Sequence, residues 1–480
     1  MSQAFSLRAR VVLCGLAVAA GIIGACADKA SIVQPPPPPP PPTAGAMHIE
    51  GNRVVWQTDK PARGSVRYSF KFSNAVFDHM AYPDAANRLD RSFTNDHSVA
   101  LLDLAPGHMT YYQVVSEAIG AATGYSAVDS FVATTAPTAN LLVSTMIHIG
   151  FGDSHLLTMP SNGRHILIDG GTRPAEQSVK TYLRDHGVTQ IHAMLATHTH
   201  EDHLGGEIGS NFSSTDGVAG AFPGAIFFDS EAKNARSQAS SAYADLLRTL
   251  AGQSRIRVVL HRFDTASNVF ELRWDGLVSI RVLNAGTPAG YVSTGDIGGT
   301  DINNESIVLL FTYGDVRFVM GGDSENESEA SMLGAFPAAD LEVNFAKLHH
   351  HGLPNATSVP WIQTLNPRVA FVPNTAYSWD PASTLAGAIA QSAGRAHSAG
   401  ADVYVVDDAP SLGRPRDNTA YPELSKQYNT SFVTDGRSYE VRVELATQPA
   451  PAKVQESDCG PHGDAVRGLG GPANEPPASH

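Results

Sequence analysis

Residues 196–206 read ATHTHEDHLGG, and this stretch decides what kind of fold the chain can adopt. It places three histidines and two acids within six positions, directly after an apolar run. On the extended backbone of a strand end, His198 and His200 point to the same side, and a helical turn after them returns Asp202 and His203 toward the same point. Imidazole nitrogens and a carboxylate suit Zn²⁺ and its chemical neighbours. The stretch therefore predicts a site for one or two cations, with a chance polar loop as the alternative.

Two later strand ends add side chains of the same kinds. The run VRFVMGGD ends at Asp323, a carboxylate placed to bridge two metals. The run FAKLHHHG ends with His349, His350 and His351 before a glycine. The sequence leaves open which of the three binds metal. We favour His351, directly before the glycine, as the ligand and His350 as a proton-transfer group.

The order of elements from about residue 140 onward predicts an α/β domain. Strand-like runs alternate there with helix-like ones, including a helix across residues 174–187 and a hairpin around Gly314 and Asp315. The polar run DSENESE, residues 323–329, is expected to be a solvated helix start apart from its first aspartate. No G-x-S-x-G motif occurs, which argues against a serine hydrolase.

Residues 46–136 have the short alternating strands and turn residues of a small β-sandwich. Trp56 is expected to be its core tryptophan, and His97 a surface or turn residue. The clearest strands are predicted at residues 53–59, 64–70, 97–104 and 110–117.

The first 26 residues are predicted to be a lipoprotein signal peptide. Arg8 and Arg10 precede an apolar core too short to span a bilayer comfortably, and small residues lead to Cys26. This stretch resembles a bacterial lipobox, so Cys26 is expected to carry lipid; a plain cleaved signal peptide is the alternative. The protein is therefore expected to be exported and lipid-anchored in the cell envelope, on a periplasmic or cell-surface face.

Residues 27–45 are predicted to be a proline-rich linker and residues 450–480 a disordered tail. Eight consecutive prolines, residues 35–42, favour a polyproline II rod of about 25 Å at ~3.1 Å per residue. The tail is rich in proline and glycine and lacks periodicity. Of the three cysteines, Cys14 and Cys26 belong to the signal, and Cys459 lies in the predicted tail. Any metal site is therefore expected to use histidine and carboxylate.

The motifs between residues 140 and 449 resemble those of the metallo-β-lactamase superfamily, whose fold is an αββα sandwich. The motifs, in order, are IHIGFGDSHLL, ILIDGG, THTHEDHLGG, NNESIVLLFTYGDVRFVMGGD and KLHHHG. Within the superfamily they are most similar to the branch represented by the DNA-uptake competence protein ComEC and by bacterial phosphorylcholine esterases. The strands of residues 46–136 resemble a fibronectin type III-like domain of the kind found ahead of purple acid phosphatases.

The resemblance implies which side chains hold metal. The ligands of the family match six positions: His198, His200, Asp202, His203, Asp323 and His351. Asp169 matches a residue that in the family does not bind the metal itself but holds one of the ligands in place. Many members have another histidine ligand between the H-x-H-x-D-H segment and the bridging aspartate. His261 is the one histidine in that interval here, and it is expected to be an ordinary strand histidine, with a ligand role as the alternative. Without that ligand, the first metal is expected to be held weakly or to have Asn303 or Asn304 beside it.

The resemblance and the metal residues together imply hydrolysis. Two cations, Zn²⁺ or Mn²⁺, are expected to supply a metal-bound hydroxide near neutral pH. Asp202 is expected to orient this hydroxide, and His350 to pass a proton to the leaving group. The related proteins point to phosphodiesters, and the formal charge of −14 favours a small envelope phosphodiester over long nucleic acid. The alternatives are lactone or lactam hydrolysis on the same fold, and a non-catalytic surface-binding lipoprotein with a vestigial site.

Overall fold

The computed structural model describes residues 37–71, 77–134, 136, 138–209, 216–230, 241–253, 255–288, 300–375, 384–406 and 428–446. The predicted signal peptide with Cys26, the first part of the linker and the predicted tail lie outside these residues. The chain divides into two compact units, Met1–Pro38 and Pro39–His480, and every element described below belongs to the second. Within the described residues, no helix is both long and apolar enough to cross a membrane.

The described strands are, in chain order, β1 (His48–Glu50), β2 (Arg53–Ser69), β3 (His79–Tyr82), β4 (Thr94–Ala100), β5 (Met109–Glu117), β6 (Gly124–Tyr125), β7 (Asp129–Val132), β8 (Leu142–Met146), β9 (Phe151–Gly152), β10 (Ser154–Thr158), β11 (His165–Gly170), β12 (Ala193–Leu195), β13 (Ile226–Ser230), β14 (Arg257–Leu260), β15 (Val278–Asn284), β16 (Val308–Tyr313), β17 (Val316–Gly321), β18 (Phe345–Lys347), β19 (Val369–Val372), β20 (Asn374–Thr375), β21 (Asp402–Val405), β22 (Tyr428–Thr434) and β23 (Tyr439–Leu445). The described helices are α1 (Glu176–Asp185), α2 (Glu201–Ile208), α3 (Gly217–Ala221), α4 (Ser241–Gly252), α5 (Thr300–Asn303), α6 (Asn326–Ala335), α7 (Ala338–Leu341), α8 (Val359–Leu365) and α9 (Thr384–Ser398). Short 3-10 helices span Ala86–Arg91, Arg173–Ala175, Phe270–Leu272 and His350–Gly352.

The described strands form two large sheets, apart from β9 and β20, which pair with each other. The parallel parts of the large sheets determine where polar strand ends meet. The first sheet has the order β14-β13-β12-β11-β10-β8-β22-β23-β3-β2-β5-β6, and β11, β12, β13 and β14 are parallel. The second has the order β15-β16-β17-β18-β19-β21, and β17, β18, β19 and β21 are parallel. Because the carboxyl ends of parallel strands lie at one edge of a sheet, the segments that follow β11, β12, β17 and β18 leave the sheets from such edges.

Alternating side chains along the strands separate a central core from two outer cores. In β11, Ile166 belongs to the core between the two sheets, and Leu167 belongs to the core that includes α1 and α2. In β17, Phe318 belongs to the central core, and Val319 packs in an outer core with Trp361 of α8. The layers are therefore helix, sheet, sheet and helix. The predicted mixed α/β class is confirmed.

Two local predictions for this part of the chain are also confirmed. Strands β16 and β17 form an antiparallel hairpin, and Gly314 in the turn has a φ of 56°, in the left-handed region that favours glycine. The helix predicted across residues 174–187 is present as α1, with a 3-10 turn before it and a left-handed Gly187 after it.

The strands between residues 46 and 136 surround a small core of their own. Trp56 is buried in this core, as predicted. The prediction for His97 was wrong, because this histidine is buried and its ring stacks on Trp56 with centroids 4.8 Å apart. An imidazole beside a buried indole completes the packing of the core rather than facing solvent. The likeness of this unit to a fibronectin type III domain stays a prediction.

The two strands predicted at residues 53–59 and 64–70 are in fact one strand, β2. Its pairing with β4 shifts register between Gln57 and Ala62, and from Arg63 onward the strand pairs with β5. A strand that changes partner at an irregularity can serve both layers of a sandwich. The turn residues near this point therefore mark a bend and not a chain reversal.

Strand β3 connects the N-terminal strands with the rest of the unit. It pairs with β23, so one sheet passes from the N-terminal strands into the α/β layers. Buried polar contacts follow the same path. The Tyr68 hydroxyl donates to Glu440 Oε2 over 2.8 Å. The buried guanidinium of Arg368 lies 2.7 Å from Asp402 Oδ1 and 3.5 Å from Glu117 Oε2.

Replacement of Arg368 by Leu is expected to lower the free energy of unfolding by about 3–5 kcal/mol, because it removes the guanidinium that pairs with the buried Asp402 carboxylate and leaves Glu117 with that of Arg63 alone. Chemical denaturation of the full chain measures this change. Arg184→Leu is the control, since the Arg184 side chain is 70% exposed, and its effect should stay within about 0.5 kcal/mol. Equal stability of the two variants would contradict the importance of the buried pair.

His79 in β3 is expected to make stability depend on pH. Its Nδ1 lies 2.7 Å from Asp78 and its Nε2 lies 3.3 Å from Asp103. Burial lowers the pKa of this imidazole, but the two carboxylates outweigh burial and raise the pKa to about 9, from an ordinary value of 6.5.

The stabilising contribution of His79 is therefore fully present below pH 6.5 and is lost as the pH rises through about 9. We expect the free energy of unfolding to fall by on the order of 3 kcal/mol across this window. Denaturation curves at several pH values measure it. In His79→Gln this part of the pH dependence should disappear, and its persistence would show that another group is responsible.

Candidate metal centre

The six predicted ligands lie where parallel strands end, and all are buried: His198, His200, Asp202, His203, Asp323 and His351. The first two follow β12 in a bend that replaces the expected extended strand end, and of them His200 has extended backbone directly before α2. The next two occupy the first turn of α2, as predicted. The other two follow β17 and β18. The structure therefore brings together side chains from both sheets.

The imidazoles meet around Asp323. Its Oδ2 lies 3.0 Å from His203 Nε2, 3.3 Å from His351 Nε2, 3.9 Å from His350 Nε2 and 4.0 Å from His198 Nε2. Its Oδ1 is buried and has no hydrogen-bond partner among the described residues. A buried carboxylate surrounded by imidazole nitrogens is a donor set that fits Zn²⁺ or a related cation.

The other contacts divide the ligands into two groups. On one side, His198 Nε2 lies 3.0 Å from His200 Nδ1. On the other side, Asp202 Oδ2 lies 3.0 Å from His351 Nε2 and 3.8 Å from His203 Nε2. Each group has its own cluster of donor atoms, and Asp323 is adjacent to both. The residues present thus supply buried imidazole and carboxylate donors on both sides of Asp323, and this donor chemistry fits a metal cofactor.

The charges of the two groups differ. Burial lowers the pKa of His203 and of His351, but neighbouring carboxylates, above all Asp323, outweigh burial, so both pKa values lie well above the ordinary range. The pKa of His198 lies well below it, because burial and the imidazoles of His203 and His200 disfavour its charged form. Burial raises the pKa of the Asp323 carboxyl, but the histidines around it hold that pKa well below its usual value. A neutral His198 and an ionised Asp323 are the forms that bind a cation.

Asp169 lies behind the His203 imidazole, a position that agrees with the resemblance. Its Oδ2 accepts a hydrogen bond from His203 Nδ1 over 2.9 Å. The backbone N–H and the hydroxyl of Thr197 also donate to its two oxygens, over 2.7 and 2.8 Å. A carboxylate behind one ring nitrogen directs the other nitrogen toward a cation and makes it a better ligand.

Asp153 is a residue of the site that the sequence reasoning missed. Its Oδ1 lies 3.2 Å from His351 Nδ1, and its Oδ2 lies 3.7 Å from His203 Nδ1. Ligand atoms of Asp153, His203, Asp323 and His351 all lie within 4.8 Å of one another. The available signal was an acid inside the largely apolar run IHIGFGDSHLL, directly before a strand.

Lys347 is a second residue whose place the sequence did not predict. It is buried, and its Nζ forms an ion pair with Asp153. The same ammonium donates to the carbonyl oxygens of Gly321 and Gly322 over 2.7 and 3.0 Å. Lys347 holds the backbone that leads into Asp323. Burial raises the pKa of Asp153, but Lys347 and the nearby histidines outweigh burial, and the net pKa is lowered.

The three adjacent histidines occupy three different environments. His351 faces Asp202 and Asp323, whereas the Nδ1 of His349 lies 3.0 Å from the buried carboxylate of Glu329. His350 lies between them, with its Nδ1 3.4 Å from Glu325 Oε1. The structure places His351 at the centre and His349 behind it.

The prediction that the polar run 323–329 is exposed to solvent at a helix start was wrong for two of its acids. Glu325 and Glu329 are both buried. Besides His349, Glu329 accepts hydrogen bonds from the backbone N–H groups of Thr357 and Ser358 over 2.7 and 2.8 Å. Glu325 and Glu329 are buried because they face the histidine-rich turn, residues 349–352, which lies later in the chain, whereas Glu327 is exposed as expected.

His261, the alternative ligand in the middle of the chain, is exposed in the turn after β14. In the described part of the chain, no ion pair or hydrogen bond joins its imidazole to the centre. Asn303 does lie beside the centre, where its Nδ2 donates to Glu325 Oε1 over 2.7 Å and lies 3.4 Å from His350 Nε2. Asn304 donates instead to Glu327, over 3.2 Å.

No family model matches the chain. One curated protein, ComE operon protein 3 of Bacillus subtilis (strain 168), is 25% identical over 244 residues, which are 47% of this chain and 27% of that protein. The chain therefore spans well under half the length of this relative.

Solved structures that the chain resembles include metallo-β-lactamases. A putative one from Thermotoga maritima is 16% identical and matches 38% of this chain and 79% of its own, with a TM-score of 0.25. One from Cronobacter sakazakii is 15% identical and matches 42% of this chain and 76% of its own, with a TM-score of 0.25. A purple acid phosphatase from yellow lupin (Lupinus luteus) seeds is 13% identical over 70% of this chain and 58% of its own, with a TM-score of 0.18.

Asp169→Asn is expected to weaken Zn²⁺ binding by about 10–100-fold, because it removes the charge behind His203 Nδ1 while the side chain keeps its size. Asparagine also tolerates the left-handed backbone of this position, where φ is 59°. Competition with a chelator measures the affinity of the full chain. The control is Asp185→Asn at the exposed end of α1, which should bind Zn²⁺ like the unmodified protein. The same affinity in both variants would rule out a supporting role for Asp169.

Proposed function

We propose that this protein is a metal-dependent hydrolase that binds two cations, Zn²⁺ or Mn²⁺, and cleaves a small phosphodiester. One observation carries the proposal: Asp323 Oδ2 lies within 4.0 Å of imidazole nitrogens from His198, His203, His350 and His351. Such a centre is costly to bury unless a cation balances its donors. The motif resemblance supports hydrolysis as the reaction class, and the negative charge balance supports a small substrate.

The side chains would divide the work as their positions indicate. His198 and His200 would hold one cation, Asp202, His203 and His351 the other, and Asp323 both. When bound, such cations lower the pKa of a water molecule and polarise the ester. The carboxylate of Asp202, at the entrance to α2, would accept a hydrogen bond from the attacking water and orient it. Asp169 and Asp153 would keep the imidazoles of His203 and His351 in position.

The leaving group needs a proton, and His350 is the candidate donor. From the sequence we expected His350 to supply it, and the buried imidazole does lie 3.9 Å from Asp323 Oδ2. Binding of a cation by the same nitrogen is the competing role. The two roles are distinguishable, because loss of a proton donor lowers turnover and leaves the metal content unchanged.

We also propose that lipid on Cys26 tethers the protein to the cell envelope and that its substrate is an envelope phosphodiester. The support is the signal-like N-terminal sequence with its lipobox and the proline-rich segment after it. Nucleic acid is the less favoured substrate, because a chain with a formal charge of −14 is repelled by long phosphate backbones.

Metal analysis of the full chain, together with turnover of a chromogenic phosphodiester, tests the proposed reaction. We expect about two equivalents of Zn²⁺ or Mn²⁺, loss of turnover on chelation and recovery when the cation is restored. His200→Ala should lose turnover at least about 100-fold, since it removes a ligand. His261→Ala, which changes an exposed histidine outside the centre, is the matched control and should keep full turnover.

Other outcomes would redirect or end the proposal. Bound metal with hydrolysis of lactones or lactams, and none of phosphodiesters, would replace the substrate class. Bound metal without any hydrolysis would favour a non-catalytic binding protein. A full chain that binds no divalent cation would exclude the metal-dependent reaction altogether.

A further inference from the structure

The proposed cation site at His198 and His200 lacks a third nitrogen ligand of the usual kind. Catalytic zinc sites typically use three protein ligands and leave one position open. The one histidine between the H-x-H-x-D-H segment and Asp323 is His261, and that residue is exposed in a turn. The ligands already assigned to this site are therefore two imidazoles and the carboxylate of Asp323, which is shared with the other cation, and a third imidazole would bind the first cation more strongly.

We propose that His350 completes this site and is a metal ligand, so that the first cation is bound by His198, His200, His350 and the shared Asp323. This inference rests on the proposed function. The Nε2 atoms of His350 and His198 lie 3.9 and 4.0 Å from the same oxygen, Asp323 Oδ2. The two imidazoles come from the ends of different strands, one in each sheet, and both are buried.

The backbone of the histidine-rich turn is arranged to bring two adjacent imidazoles to one place. His350, His351 and Gly352 have φ values of 48°, 50° and 78°, three consecutive residues in the left-handed region. Residues with a Cβ seldom adopt this conformation, and it persists where surrounding contacts hold it. In an extended strand, adjacent side chains point to opposite faces. Here His350 and His351 both direct Nε2 toward Asp323, at 3.9 and 3.3 Å.

The other ring nitrogen of His350, Nδ1, lies near a carboxylate, as is common for histidines that bind metal through Nε2. Nδ1 lies 3.4 Å from Oε1 of the buried Glu325, and Asn303 Nδ2 donates to the same oxygen over 2.7 Å. A carboxylate at Nδ1 orients Nε2 and increases its basicity. Asn303 Nδ2 also lies 3.4 Å from His350 Nε2, and a cation at Nε2 would replace this long contact.

His349 does not share this arrangement. Its Nδ1 faces Glu329, and its Nε2 packs so closely on Gly321 that a Cβ there would collide with it. Of the three adjacent histidines, two therefore point to the centre and one fastens the turn to α6. Assignment of His350 as a ligand explains why two successive residues are both held in a strained conformation.

The test measures metal binding by the full chain after removal of metal with a chelator. Zn²⁺ is titrated by calorimetry and Co²⁺ by its visible absorption, which reports coordination geometry. We expect the unmodified chain to bind two equivalents, and His350→Ala to keep one at the original affinity and weaken the other at least about 100-fold. His350→Asn should behave alike, and it suits a left-handed position if the alanine variant is unstable. His261→Ala is the matched control and should bind both ions.

A measurement on the unmodified chain tests the ligand role of His350 independently. X-ray absorption of the zinc-loaded chain counts imidazoles per metal, and the proposal requires His198, His200, His203, His350 and His351 all to be bound. A count that corresponds to these histidines without His350, or undiminished binding of both ions by the His350 variants, would overturn the proposal and leave His350 as a proton donor. A chain that binds no cation at all would instead refute the proposed function.

Discussion

The site depends on one buried carboxylate oxygen, Oδ2 of Asp323, which lies within 4.0 Å of four imidazole nitrogens. A buried carboxylate needs partners of opposite charge or a metal ion. Around Asp323, hydrogen bonds and ion pairs hold such partners in position. Lys347 binds the two carbonyl oxygens directly before Asp323. Asp169 and Asp153 stand behind the imidazoles of His203 and His351. Each of these groups positions either the backbone that leads to Asp323 or an imidazole that faces it.

Close approach of backbone segments makes this convergence possible. A Cβ at Gly322 would collide with the hydroxyl of Thr197, and one at Gly206 with the carbonyl oxygen of Gly170. Glycine at these positions lets the strand ends of the two sheets, and helix α2 with the end of β11, come within contact distance. The motifs ILIDGG, DHLGG and VMGGD thus carry their glycines for packing and their polar residues for the site.

The N-terminal strands are part of the same sheet as the α/β layers, through the pairing of β3 with β23. Without them, β23 would expose an unpaired edge, which invites association with other chains. Buried contacts from Tyr68 to Glu440, and from Arg368 to Glu117, add polar links across this boundary. Stability of the α/β layers is therefore expected to depend on the strands that precede them in the chain.

The sequence by itself determined the α/β class, the hairpin of β16 and β17, and the concentration of metal-binding side chains at 198–203, at Asp323 and after β18. These features depend on periodicity and on spacing within short segments, which the sequence displays directly. Tertiary structure decided that Asp153 and Lys347 pair behind the site, that Glu329 is buried against His349, and that the two N-terminal strands predicted around Gly64 are one. Such outcomes depend on contacts between segments far apart in the chain, and the burial of a charge is favourable or prohibitive according to the partner that the fold brings to it.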